Sequence, residues 1–260
     1  MEANYDADIY LVGLGMFEMR QVTVETLQIL KQAKRVFHLT SQHEELTAIN
    51  VNTQDLGPLY WRSGRNTDIY EDLARHVVSF ARETRPTVFA VEGNPMFFSD
   101  ISWKIAELGK AACLRVEALP SVSCLDVLPI QLGFEPGDLG LQVFEATQLA
   151  LYRLAMNPYL STLILQVGEF GETTLLRPAR RRPAAFIPLV RHLSNFFPPD
   201  HTAIFIESTC SSKVPNIVFT TDIASIDKHQ DRITPGMTLY LPRVGIPPID
   251  ERVREELGLA

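Results

Sequence analysis

The chain has 260 residues, 46% of them hydrophobic and 21% charged, with a formal net charge of −7. These totals fit a soluble globular protein with one large or two modest domains, and the acidic surplus speaks against nucleic acid as the main partner, since phosphate binding needs a cationic surface. Three cysteines (Cys113, Cys124, Cys210) without a Cys-x-x-Cys pair fit reduced thiols rather than a disulfide framework, and no His/Cys spacing suggests a metal site.

The first residues carry Glu2, Asp6 and Asp8, so they lack the basic start of a signal peptide. No stretch approaches the ~20 uninterrupted apolar residues of a membrane span. A soluble, cytoplasmic protein is expected. Residues 8–13 form an apolar run rich in β-formers that ends on Gly13, the pattern of a buried strand. Thr23 is placed to cap a helix carrying Leu27, Leu30 and Ala33. A second strand is predicted at 35–39, followed by a polar stretch. Residues 68–85 then place Ile69, Leu73, Val77 and Phe80 on one helical face. Residues 87–91 form the clearest buried strand. Ser99 is expected to cap a helix with Ile101, Ile105 and Leu108, ahead of a strand at 114–118 and a helix within 122–132.

Strands and helices alternating at this rhythm predict a mainly parallel sheet with right-handed crossovers. Residues 133–140 (GFEPGDLG) read as a linker. Beyond them the texture changes: strands at 141–144, 162–167, 203–207, 217–220 and 238–241, Pro-rich loops, and a helix near 184–196. The expected organisation is an N-terminal α/β domain at 1–118, a C-terminal α/β domain at 119–245 and a short charged tail at 246–260.

Gly13-Leu14-Gly15 sits where the first strand meets its loop, where glycines let a ligand approach the backbone. Alone it reads equally well as a tight strand–helix turn: Glu18 holds the third position of G-x-G-x-x-G, and no acidic residue is placed for a ribose. No G-x-x-x-x-G-K-[ST] occurs, which excludes a P-loop. Two further loops, 92–99 (EGNPMFFS) and 119–123 (LPSVS), follow the next strands directly. Three loops at the carboxyl ends of parallel strands would converge on one crevice.

The stretch Ile9-Tyr-Leu-Val-Gly-Leu-Gly15 with its Thr/Leu-rich helix, Gly93-Asn94-Pro95, and Pro120-Ser121-Val122-Ser123 resemble the three signature loops of the tetrapyrrole methylase superfamily. Asn94 stands where that family has Asp or His, and Ser121 where it has glycine. The resemblance implies a two-domain fold, a mixed C-terminal sheet, a homodimer, and S-adenosylmethionine (SAM) bound in a cleft between the domains. Implied cofactor contacts are Gly13, Leu14, Gly15, Gly93, Asn94, Pro95, Phe97, Phe98, Ser121, Val122, Ser123, Gln166 and Val167.

Residues 144–148 (FEATQ), 163–168 (LILQVG), 171–175 (GETTL), and Tyr60 with the helix start around Tyr70 resemble the borosin branch, whose members methylate backbone amide nitrogens of a ribosomal peptide. The resemblance implies Tyr70 as the base, Tyr60 as the group positioning the amide oxygen, and Arg65 as the cation lowering the tyrosine's pKa. The branch's arginine lies four residues before the helix tyrosine; here that position is Asn66, and Glu92 stands where the branch has tyrosine. For each tyrosine the structural alternative is an edge-of-core aromatic, and for Arg65 a solvated loop charge. Glu145 reads as a helix N-terminal carboxylate. The arginine run at 177–182 reads first as a solvated surface and second as a guide for an acidic leader peptide. Nothing after residue 239 resembles a substrate peptide, so a precursor peptide supplied in trans is expected. A tetrapyrrole C-methyltransferase and a catalytically silent SAM-binding scaffold are the alternatives.

Overall fold

The computed structural model describes residues 6–175, 182–209 and 214–259. Contacts divide the chain into two compact units. The first comprises Met1–Gly133, Glu172–Ala179 and Thr209–Pro215; the second comprises Phe134–Gly171, Arg180–Ser208 and Asn216–Ala260. Against the expected division at residue 118, the contacts keep one further helix, Cys124–Leu132, with the first unit.

The first unit contains β1 (Ile9–Gly13), α1 (Val24–Gln32), β2 (Arg35–Leu39), α2 (His43–Ile49), β3 (Thr53–Asp55), α3 (Gly57–Tyr60), α4 (Asn66–Ala81), β4 (Thr87–Val91), α5 (Asp100–Ala111), β5 (Val116–Ala118) and α6 (Cys124–Leu132). Its five strands are all parallel, in the order β3-β2-β4-β1-β5. Every residue of β1 and β4 is buried, as expected for central strands covered on both faces. Alternation along the strands sends Ile9, Leu11, Phe37 and Phe89 toward Ile69, Leu73, Val77 and Ile105. It sends Tyr10, Val12, Val36 and Val88 toward Ile29, Leu30 and Leu46 on the opposite face.

Local chemistry sets the helix starts. The Thr23 hydroxyl accepts the Thr26 N–H at 3.1 Å and caps α1. Ser99 does occupy the N-cap position of α5, but its Oγ lies 2.8 Å from Ser102 Oγ and makes no backbone cap. The helix expected at 68–85 runs over Asn66–Ala81, and the strand expected at 114–118 is confined to Val116–Ala118.

The second unit contains β6 (Leu141–Glu145), α7 (Ala146–Leu151), β7 (Ser161–Leu165), α8 (Ile187–Leu193), β8 (Thr202–Glu207), β9 (Ile217–Asp222), β10 (Thr238–Leu241) and α9 (Glu251–Glu256). The sheet order is β6-β7-β10-β8-β9; β6 pairs parallel with β7 and the other pairs are antiparallel, so the sheet is mixed as expected. Ile164, Phe186, Leu189, Phe205 and Leu239 centre its core. Among the described residues no helix is long and apolar enough to cross a membrane, and no group of three or more His, Cys, Asp or Glu is arranged to hold a metal ion.

Candidate active site

β4, β1 and β5 are neighbours in a parallel sheet, so the loops that follow them leave its carboxyl edge side by side. They meet at Gly13. A Cβ built there would lie 2.0 Å from the Gly93 carbonyl oxygen, 2.6 Å from Ser121 Cβ and 3.0 Å from Pro95 Cδ. No other residue type fits, and the resulting closeness sets the rest of the site. The Gly93 N–H donates to the Gly15 carbonyl at 2.9 Å, and both residues have positive φ, 71° and 77°. The Leu14 N–H donates to the Val91 carbonyl while its side chain lies in the core, so only the Leu14 backbone faces the loops.

Asn94 Nδ2 donates to the Ser121 carbonyl at 3.3 Å, and its Oδ1 accepts the Met96 N–H at 2.9 Å. Asn94 thus spends its side chain joining two loops. Ser123 is occupied as well: its hydroxyl accepts the Leu125 N–H and donates to Asp126, whose carboxylate also accepts the Ser123 N–H at 2.7 Å. That reciprocal cap starts α6. The Ser121 hydroxyl, by contrast, is buried without a hydrogen-bond partner among the described residues. A buried orphan of this kind carries a desolvation cost and calls for a ligand or strain explanation. Val122 is half-buried between these two serines. Phe97 and Phe98 meet edge-on at 4.8 Å, and Phe98, 39% exposed, holds φ 54°, a left-handed conformation that is rare for an aromatic residue.

Two further residues brace this edge, neither of them among the implied cofactor contacts. Gln21 Oε1 accepts the Met16 N–H at 2.7 Å and braces the loop after β1. Glu92 Oε1 accepts Ser41 Oγ at 2.9 Å, the Ser41 N–H at 3.2 Å and Thr40 Oγ1 at 3.3 Å, tying the end of β4 to the loop after β2. Burial pushes the neighbouring Cys124 thiol up to about 11, so it stays protonated and is no nucleophile at neutral pH.

Because α4 leads into β4, its N-terminus lies at the same carboxyl edge. Tyr60 ends α3 and its ring stacks on Tyr70 of α4, with centroids 6.1 Å apart and planes 17° apart. Trp61 packs edge-on to Tyr60 at 4.8 Å, and Arg62 forms an ion pair with Asp72. Tyr60, Tyr70 and Met96 of the 92–99 loop all pack against one core cluster. The tyrosine pair and Met96 thus share one core cluster, and Tyr60 and Tyr70 touch each other directly. Arg65 is exposed, sits at the N-cap position of α4, and forms an antiparallel bridge with Thr174.

Gln166 and Val167 belong to the second unit. β7 stops at Leu165; Gln166 takes φ 54° and ψ 29° with its side chain exposed, whereas Val167 is fully buried in the core. Glu145 caps α7, accepting the Thr147 and Gln148 N–H groups at 2.9 and 2.6 Å, which is the helix-terminus role expected of it. Of the arginine run only Arg182 is described; residues 177–181 and Cys210 lie outside the described residues.

Residues 8–227 match the family model for Tetrapyrrole (Corrin/Porphyrin) Methylases. A methyltransferase/ribosomally synthesized type I borosin cyclic peptide precursor from Gymnopilus junonius is 27% identical over 259 residues, covering 95% of this chain and 60% of that protein. A protein of the same description from Mycena rosella is 25% identical, covering 100% of this chain and 66% of its own length. The chain thus spans less than two thirds of either relative. Among solved structures, uroporphyrin-III C-methyltransferase from Thermus thermophilus complexed with S-adenyl homocysteine superposes with a TM-score of 0.62 at 18% identity, covering 91% of this chain and 97% of that one. Its likeness is one of fold. With the parallel sheet, the three loops at its carboxyl edge and a family match over most of its length, this chain belongs to the tetrapyrrole methylase family.

Proposed function

We propose that this chain is a SAM-dependent methyltransferase that methylates backbone amide nitrogens of a peptide supplied as a separate chain. The observation that carries this reading is the stacked Tyr60–Tyr70 pair, at the start of the helix that leads into β4, together with the three loops at the carboxyl edge of the same sheet. Two relatives named for both a methyltransferase and a borosin peptide precursor support the substrate class.

The residues fit the cofactor. Gly13, Gly15 and Gly93 let the three loops close on one another without side chains, the Ser121 hydroxyl is an unmatched polar group, and Phe97, Phe98 and Val122 supply apolar surface. Leu14, Asn94, Pro95 and Ser123 shape the loops that would hold it. Gln166 and Val167, in the second unit, are further contacts that the family resemblance alone implies. When bound, SAM supplies an electrophilic methyl group for in-line displacement.

A peptide nitrogen is a poor nucleophile because its lone pair is delocalised into the carbonyl. Tyr70 removes the amide proton, and the Tyr60 hydroxyl donates a hydrogen bond to the amide oxygen as negative charge grows there. A tyrosine with an ordinary pKa near ~10 needs a nearby cation to act as base at neutral pH, and Arg65 is assigned that role. The homodimer implied by the family resemblance is part of the same proposal and is checked by sedimentation.

The family model also favours a second reading, a tetrapyrrole acceptor. Calorimetry with SAM, followed by parallel incubations with a candidate precursor peptide and with a tetrapyrrole, separates the readings. A methyl-mass gain on the peptide supports the proposal. A gain on the tetrapyrrole alone overturns it, and SAM binding without either gain points to a silent scaffold.

A further inference from the structure

We propose that residues 173–175 are a positioning strap that orders the proposed catalytic arm, residues 60–70, by binding the open start of α4. The inference rests on the reading of Arg65 and Tyr70 as catalytic. A helix begins with N–H groups that have no intrahelical partner, commonly satisfied by a Ser, Thr, Asp or Asn side chain at the N-cap. Here the N-cap is Arg65, which makes no side-chain cap, and the residue before it is Gly64 at φ 136°, the most permissive backbone available. Within the arm the Asn66 side chain accepts the Thr67 N–H, which leaves the Asn66 N–H itself to a partner from outside the arm.

The segment arriving from the second half of the chain supplies what is missing. The Thr173 carbonyl accepts the Asn66 N–H at 3.0 Å, and Thr174 bridges Arg65 in antiparallel fashion. Leu175, 7% exposed, is buried in the same core cluster on which Tyr60 and Tyr70 pack. One short strap thus holds the helix start by backbone and is itself anchored in the core cluster that the tyrosine pair packs on. This gives the Gly-Glu-Thr-Thr-Leu stretch a role although none of its residues is assigned to the chemistry.

The test uses Asn66, whose N–H makes the contact. Asn66→Pro deletes that N–H, yet proline is favoured at the first helical position, and Arg65 at φ −73° and ψ 140° already has the extended backbone a following proline requires. The substitution also removes the contact from Asn66 Oδ1 to the Thr67 N–H, so Asn66→Ala serves as the control that loses only that contact. In the full-length protein, Asn66→Pro is expected to lower kcat about fivefold, the effect of one lost hydrogen bond, with SAM affinity unchanged. Amide exchange at Asp68, Ile69 and Tyr70 is expected to accelerate, and Asn66→Ala to behave as wild type.

Wild-type kcat and wild-type exchange in Asn66→Pro would overturn the strap. Tyr70→Phe is measured alongside. If it retains full turnover, the catalytic reading of the arm fails, and the exchange data alone decide the strap: faster exchange sustains it, unchanged exchange overturns it.

Discussion

Tyr60 and Tyr70 lie face to face, ring centroids 6.1 Å apart and planes 17° apart, one ending a short helix and the other on the second turn of the next. Under the proposed function the Tyr70 hydroxyl is the base and the Tyr60 hydroxyl holds the amide oxygen, so removing one hydroxyl tests the assignment. Tyr70→Phe keeps the ring and removes only the hydroxyl. It is expected to lower turnover about a hundredfold or more while leaving SAM affinity intact, as measured by single-turnover kinetics and calorimetry. Near-wild-type turnover would show that the base lies elsewhere.

Gly13 tests the cofactor cradle. A methyl group there would stand 2.0 Å from the Gly93 carbonyl, backbone that cannot swing away. Gly13→Ala is expected to cost about 1–3 kcal/mol of stability through overpacking. It should also abolish SAM binding at concentrations that saturate the wild type. A variant that binds SAM normally would mean that these three loops do not form the cofactor site.

Glu92 separates geometry from charge. Its Oε1 takes three donors from Thr40 and Ser41, directly beside Gly93, so it holds two loops together. Glu92→Gln keeps an acceptor at that atom and is expected to retain SAM affinity within about threefold, whereas Glu92→Ala should weaken it about tenfold through loss of these bonds. Equal losses in both variants would assign the effect to the negative charge instead.

His38 makes stability depend on pH. It is fully buried at the end of β2, its Nε2 2.9 Å from His43 Nδ1, and burial lowers its pKa from 6.5; Asp55 opposes the shift and His43 adds to it. The folded protein therefore resists the proton that the unfolded chain accepts. Its stabilising contribution is complete above pH 6.5 and is lost as the pH falls from there through the folded pKa. Thermal melts from pH 7.5 down to 5 should show a falling Tm, with a shallower fall in His38→Gln. Parallel slopes in the two proteins would contradict this.

Much of the first unit was legible in the residues. The unalternating apolar runs of β1 and β4 announced central parallel strands, and the 3.6-residue period of Ile69, Leu73 and Val77 announced α4. β3 was not legible, since Thr-Gln-Asp at a sheet edge has neither apolar alternation nor β-branched density. Nor was α2, whose mostly polar surface buries only Leu46. At the site, the glycine loops were visible because their backbone geometry demands glycine, and Gly13 shows why. Asn94 and Ser123 were visible as motif members, yet their side chains turn out to serve loop closure and helix capping. The tie made by Glu92 and the contact of residues 173–175 with α4 join segments distant in the chain, and local patterns carry no record of such pairings.

The central claim, methyl transfer to peptide nitrogen, is tested most directly by a mass spectrum of a candidate precursor peptide after incubation with this protein and SAM. Successive single-methyl gains, placed on backbone nitrogens by fragmentation and absent with Tyr70→Phe, are the predicted result. Methyl groups found only on side chains or termini, or no gain while SAM binding is intact, would contradict it.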